Sequence, residues 1–322
     1  MTMGRACVAI LEPDPLYRGV FERIFFSSGH EVRYLDAGVL PPEILPSDGV
    51  LLMDMAQGEC TAFDLLGAIR IQHPMLPVVL FCDEDIGAWL DDLANYERVN
   101  VLARPFTREE LLFFIDKLLH PDHAFGLVHY LKSDALVRVF ALRSTAEVRG
   151  LIDTTLALAS EWGFDFDYDF KIDLVLHELF LNAIYHAHGY ESEKKQGVPV
   201  SLPEKETVQI EVGHDENRFG VTITDFCGNL TRSRILESLR TLEQQKSVER
   251  LLAEGRSISD IFRQHGRGID IVRKNSGEYY FVIERGRRTQ VVIIFDKHFE
   301  KDDQNASIKV IEVGDARSAE GA

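Results

Sequence analysis

The chain is poor in cysteine, in long apolar runs and in positive charge, and each shortage narrows what it can be. Four of its 322 residues are cysteine (Cys7, Cys60, Cys82 and Cys227), scattered and without a C-x-x-C pair. That spacing offers no disulfide framework and suits a reduced, cytosolic compartment. No apolar run approaches the roughly 18 residues that a membrane helix needs. The run Cys7–Leu11 is too short for a signal-peptide core and ends against Glu12. A soluble, cytoplasmic protein with no membrane partner is the expectation. Lys and Arg number 35 against 52 Asp and Glu, a formal charge of -17, which argues against direct binding to nucleic acid or anionic lipid.

What remains is ordinary globular material, 45% hydrophobic and 27% charged, and its length predicts two domains with separate cores. Strand and helix alternate through the first 120 residues. Apolar runs at Cys7–Leu11, Gly49–Met55, Val78–Cys82 and Val99–Ala103, with a weaker one at Glu31–Leu35, predict strands. Amphipathic stretches at Leu16–Ser28, Phe63–His73, Ile86–Tyr96 and Thr107–Leu119 predict helices, the last capped by Thr107 with Glu109 and Glu110 in its first turn. Such alternation predicts a doubly wound α/β domain on a parallel five-stranded sheet.

Periodicity weakens over 121–135, which reads as a linker. Beyond it the order changes to α+β. A strand at Leu136–Leu142 precedes a helix at Ser144–Gly163, opened by the box Ser144-Thr145-Ala146-Glu147. A second long helix covers Phe170–His188. The charged, Gly- and Pro-bearing stretch Glu191–Glu206 reads as an exposed loop. Strands follow at Val208–Val212 and Phe219–Asp225, a polar helical region at Thr231–Gln264, a helix start at Gly268–Asn275, and strands at Glu278–Glu284 and Thr289–Asp296. After Lys297 the tail is charged and loosely ordered, with Ile308–Val313 available as an added strand.

Three motifs carry the chemistry. Glu178 and Asn182 lie four apart on one face of a helix, among the apolar residues Val175, Leu176, Leu179, Phe180, Ala183 and Ile184. An asparagine in such surroundings needs a polar partner, because an unpaired buried amide costs roughly 1–3 kcal/mol. Mg²⁺ with phosphate oxygens is one such partner. Asp225 ends an alternating strand, where its carboxylate can accept from an exocyclic amine, and Gly228 and Asn229 suit the left-handed turn that follows. Gly266-Arg267-Gly268 opens an apolar helix, where backbone N–H groups meet phosphate and Arg267 adds a charge-assisted contact. Each motif alone is common in structures with no ligand; the order of all three is the signal.

That order, E-x-x-x-N on a helix, D-x-x-G after a strand, then G-x-G-I-x-I-V and the strand Thr289-Gln290-Val291-Val292-Ile293, resembles the histidine-kinase/Hsp90-like ATPase fold, a two-layer sandwich, over residues 136–298. Glu178 before Asn182-Ala183, with His186-Ala187 following, is similar to the anti-sigma-factor serine kinases. The resemblance implies ATP and Mg²⁺ as cofactors, with Asn182 on the metal and Asp225 on adenine. It places Gly228, Gly266, Arg267, Gly268 and Thr289 around the nucleotide and makes Glu178 the base that deprotonates a serine hydroxyl. Two departures stand out: Cys227 and Asn229 replace glycines of the family turn, and Leu230–His265 is long for an ATP lid. The basic residues of that segment, among them Arg232, Arg234 and Arg240, are open to nucleotide, a partner or solvent. His177-Glu178-Leu179 also resembles a histidine-kinase phosphoacceptor box. The basic and proline residues that should follow are missing, and the box shares its helix with Asn182, so no phosphohistidine is assigned.

The first 120 residues resemble a two-component receiver domain. Asp54, at the end of the most apolar strand, matches the phosphoacceptor, and Glu12 and Asp14 are placed to join it in a Mg²⁺ site. Arg104-Pro105-Phe106 matches the Lys-Pro-Phe turn, with Arg104 for lysine, and Cys82 stands at the Ser/Thr switch position. Pro13 replaces one acid of the receiver pair, and proline cannot ligate metal through its side chain. The expectation is a degenerate receiver that regulates a serine/threonine protein kinase. Its substrate would be an anti-sigma-factor-antagonist-like protein, with a sigma factor, an upstream histidine kinase and a second copy of the chain as further partners. The alternative is a nucleotide-binding module that sequesters its partner without phosphorylating it. Residues 299–322 form the tail.

Overall fold

Strands made of four or five consecutive apolar residues cannot leave a face to water, and three of the five strands of the first sheet, Cys7–Leu11, Gly49–Asp54 and Val78–Cys82, contain such runs. In the computed structural model the described residues are 7–11, 14–26, 28–35, 49–57, 60–83, 86–164, 169–244, 269, 271–272, 276–297 and 307–314. They fall into two units, one formed by residues up to 122 with 307–311, the other by 123–297 with 312–314.

In the first unit β1 (Cys7–Leu11), β2 (Glu31–Leu35), β3 (Gly49–Asp54), β6 (Val78–Cys82) and β7 (Val99–Ala103) form a five-stranded sheet in the order β2-β1-β3-β6-β7. Every pairing is parallel. A short ribbon of β4 (Ala56–Gln57) and β5 (Cys60–Thr61) precedes α2 (Ala62–Gln72). β1, β6 and β7 are buried at each residue, which requires cover on both faces. Helix α1 (Pro15–Phe25) starts at a proline capped by Asp14, whose carboxylate accepts from Leu16 N at 2.8 Å. Thr107 caps α4 (Arg108–Leu119) through Glu110 N, as its sequence predicts. The helix expected over Ile86–Tyr96 divides into a 3₁₀ turn, Ile86–Trp89, and the five-residue α3 (Leu90–Ala94). Gly87 near its start weakens any single helix there.

The tail is not loose where it is described. Ile308 bridges β7 by two backbone hydrogen bonds with Val101, of 2.9 and 2.8 Å. Ser307 Oγ accepts from Ala103 N, and Val310 N donates to Asn100 Oδ1. Lys309 and Glu110, both essentially without solvent exposure, form an ion pair. Charge made this segment read as solvated; the pairing of that charge is what allows its burial.

The second unit carries antiparallel strands in the order β11-β12-β10-β9-β8. They are β8 (Leu136–Leu142), β9 (Val208–His214), β10 (Arg218–Asp225), β11 (Glu278–Glu284) and β12 (Arg288–Asp296). The pairs β8/β9, β9/β10, β10/β12 and β12/β11 are antiparallel. Helix α5 (Val148–Glu161) packs on α6 (Asp169–Tyr185), and α6 on β10. The expected box at Ser144 does not start α5. Glu147 accepts from Arg143 N at 2.8 Å, and Thr145 N bonds Val200 O, so the chain turns there and becomes helical only at Val148. Residues read as a loop after Tyr190 include α7 (Glu191–Gln196), closed by Gly197. Of the polar region after Thr231, α8 covers Arg232–Gln244; residues 245–268 lie outside the described residues.

Side chains alternate across β10. Ile223 and Asp225 face one way with Val291 and Thr289 of β12. Arg218, Gly220, Thr222 and Thr224 face the other way, where residues 124–131 lie. Leu127 fills the space above Gly213 and Gly220. Gly126 N bonds Gln290 Oε1, and Leu127 N bonds Glu211 Oε2. Arg218 donates to Tyr130 O and to Glu278, which also accepts from Tyr280. The weak periodicity of 121–135 comes from two 3₁₀ turns, Pro121–His123 and Leu127–Tyr130, which have neither helix nor strand spacing.

Candidate functional site

Helix α6 presents Glu178 and Asn182 one turn apart, and the strand ends of β10 and β12 present Asp225 and Thr289 in register. All four line one cavity of about 720 Å³, with Ile223, Val291 and Phe281 as apolar wall. The volume lies within the range of small-molecule and cofactor sites. Gly266, Arg267 and Gly268 lie outside the described residues, but Ile269 and Ile271, which follow them, line the same cavity. Of the basic residues left open by the sequence, Arg234 lines it too.

Asp225 is 8% exposed. Its Oδ1 accepts from Cys227 N at 3.0 Å and Gly228 N at 3.1 Å. Burial raises its pKa, against those two amides, His188 and the Thr289 hydroxyl, which lower it. A carboxylate has about four lone-pair sites and both amide bonds fall on Oδ1, so acceptor capacity is left on Oδ2 for a ligand donor. Gly228 takes φ 62°, and a Cβ there would stand 2.5 Å from Arg287 N and 2.6 Å from Glu284 O, so no other residue fits. Asn229 donates Nδ2 to Ala187 O at 2.8 Å and ties the turn to the residues that follow α6. Burial first, then the Asp225 charge, pushes the Cys227 thiol up to about 11, which keeps it an inert thiol at neutral pH.

Lys194 is the residue that sequence reasoning missed. Its Nζ donates to Asn182 Oδ1 at 2.6 Å and stands 3.7 Å from Glu178 Oε2. It sits in a charged stretch with no apolar periodicity, and no local signal distinguishes it from its exposed neighbour Lys195.

In the first unit Asp54 Oδ2 pairs with Arg104 at 2.7 Å, and Asp83 lies 3.2 Å from the same nitrogen. Burial by itself would lower the Arg104 pKa; the hydrogen bond and charge of Asp54, with Asp83 and Tyr17, leave it raised. The guanidinium stacks over Tyr17 at 4.6 Å and Phe81 at 5.2 Å. Cys82 is buried at the end of β6, its carbonyl accepting from Arg104 N. Asp14 is spent on the α1 cap, and Glu12 lies outside the described residues. Among the described residues no three His, Cys, Asp or Glu groups gather as a metal cluster, and no helix is long and apolar enough to cross a membrane.

No protein-family model matches the chain, and no curated protein does. Among solved structures it is similar to the apo receiver domain of Nitrogen Regulatory Protein C, with 25% identity over 37% of this chain and 98% of that one, TM-score 0.33. It is also similar to the receiver domain of a sensor histidine kinase from Pseudomonas aeruginosa PAO1 with a coordinated magnesium ion. There the identity is 20%, coverage 36% and 99%, TM-score 0.33. A response regulator receiver protein from Sinorhizobium medicae WSM419 gives 18%, 36% and 95%, and 0.31. Strand order carries more weight than these superpositions: 2-1-3-4-5 among the five parallel strands is the flavodoxin-like doubly wound arrangement. Asp54 sits at its carboxyl edge, where such sheets bind ligands.

Proposed function

We propose that the second unit binds Mg·ATP and transfers its terminal phosphoryl group to a serine or threonine hydroxyl of a small antagonist-like protein, under control of the receiver-like first unit. The observation that carries this reading is the meeting of Glu178, Asn182, Asp225 and Thr289, from three separate stretches of sequence, in one cavity. The donor set suits the ligand. The Asn182 amide oxygen is a hard ligand for Mg²⁺, and Asp225 offers a desolvated acceptor to the adenine amine, fixed by its own turn. When bound, the metal neutralises charge on the phosphates. Glu178, one turn before Asn182, accepts the proton of the incoming hydroxyl, help worth about 10²–10⁴-fold.

The receiver-like unit enters as a regulatory input, with Asp54 as its phosphoacceptor position and a histidine kinase as its upstream partner. Arg104 on Asp54 favours a pseudo-receiver that signals by protein contact. A sigma factor and a second copy of the chain complete the proposed partners, as in partner switching.

One observation favours a second reading, a nucleotide-binding module that sequesters its partner without phosphorylating it. Lys194 stands 3.7 Å from Glu178 and, unless displaced, competes for that carboxylate with an incoming hydroxyl. Purified protein incubated with labelled ATP and candidate antagonist-like proteins separates the two. Glu178→Gln is expected to lower phosphoprotein formation by about 10²–10⁴-fold with Mg·ATP affinity within about threefold of wild type. Phosphorylation that survives this substitution overturns the catalytic role; binding without any phosphorylation in wild type supports the second reading.

A further inference from the structure

The nucleotide reading leaves one group in the pocket unused. Lys194 reaches in from α7 with 23% of its side chain exposed and is held by three atoms of α6 and its end. These are Asn182 Oδ1 at 2.6 Å, His186 Nε2 at 3.5 Å and Glu178 Oε2 at 3.7 Å. An asparagine binds a metal through its amide oxygen, the one acceptor of that side chain. Here that oxygen lies at hydrogen-bond distance from an ammonium. Two cations do not share so short an approach, because their repulsion grows in a partly desolvated site. The lysine stem is flexible and its head is a point charge with three donors, so it can serve phosphate oxygens as readily as an amide.

We propose that Lys194 is a resident cation of this pocket, one that competes with Mg²⁺ for the Asn182 oxygen and offers nucleotide phosphates a positive charge of its own. The proposal rests on the nucleotide site proposed above. It makes the pocket able to hold a nucleotide without metal, and makes metal entry conditional on the lysine's departure. Lys195, exposed and one residue on, also borders the cavity and carries the same charge without that hydrogen bond, so it separates the contact with Asn182 from charge alone.

Two measurements on the full chain test this: anisotropy of a fluorescent ATP analogue in EDTA, and Mn²⁺ affinity by electron paramagnetic resonance at saturating nucleotide. For Lys194→Met the affinity in EDTA is expected to fall about tenfold or more, the scale of one charge-assisted hydrogen bond. Mn²⁺ affinity is expected to rise severalfold. Lys195→Met is expected to move each by less than about threefold. Lys194→Gln, with thermal melting as the check on folding, repeats the test if the methionine variant is unstable. Unchanged values, a fall in both, or equal shifts in the Lys195 variant overturn the proposal and leave the nucleotide site standing. Failure of wild type to bind the analogue in either buffer overturns the site and the proposal together.

Discussion

Asp225 sits largely buried in the cavity wall, with two backbone amides of its own turn facing one of its oxygens. Burial nevertheless leaves the ionised form disfavoured and the pKa raised. A carboxyl whose folded pKa lies above its unfolded value favours the fold at low pH and loses that contribution as pH rises through the folded value. Asp225→Asn is therefore expected to melt higher than wild type at pH 7, the gap narrowing as pH falls toward about 4, in melting curves without ligand. Its amide oxygen stays with Cys227 N and Gly228 N, so under the proposed nucleotide reading its NH₂ would meet the adenine amine donor to donor. Nucleotide affinity is expected to drop about 10–100-fold in the same preparation. At this scale the sequence was legible where spacing on one element did the work. Glu178 and Asn182 share a face because helices repeat, and Asp225 ends an alternating strand. Lys194 was illegible because its distance from Asn182 is set by the fold of α7 and by nothing local.

At the scale of elements, apolar strands and capped helices read well. Val78–Cys82 and Val99–Ala103 appear at their expected bounds, since a buried parallel strand is apolar almost throughout; the one polar side chain, Asn100, is paired with Val310 N. Segment 124–131 did not read, because its structure is the negative of its neighbour's surface. Leu127 enters only where Gly213 and Gly220 leave room. A Cβ at Gly213 would approach Leu136 O to 2.6 Å, a backbone atom that cannot rotate away, whereas at Gly220 it would meet the methyl ends of Leu127 and Ile294. Gly213→Ala is expected to cost about 1–3 kcal/mol and Gly220→Ala less. Urea unfolding followed by emission of Trp162, which stacks beside His214 at 4.5 Å, reads the difference; equal costs would show that Leu136 can shift.

For the molecule as a whole, a charge of -17 coexists with ion pairs taken out of water, of which Lys309 with Glu110 is among the most buried. Removing one member of such a pair leaves the other charge stranded, at a cost of about 3–5 kcal/mol. Lys309→Met is expected to lower the first unit's stability by that amount, and Glu110→Leu in the same chain to restore most of it. Denaturation followed by Trp89 emission in a Trp162→Phe background checks both. The two-domain prior came from length alone. That residues 307–311 complete the first unit was not legible, since a charged tail gives no sign of where its countercharge waits.

The strap along β7 also has a consequence in time. A ribosome adding roughly 5–20 residues per second needs on the order of 10–40 s to go from Asp122 to Lys309. For that interval the N-terminal sheet has left the tunnel with an open edge at Val99–Ala103 and a carboxylate at Glu110 whose countercharge has not yet been made. The part of the protein synthesised first is among the last to be finished. How long its edge can recruit a neighbouring nascent chain depends on the speed of translation.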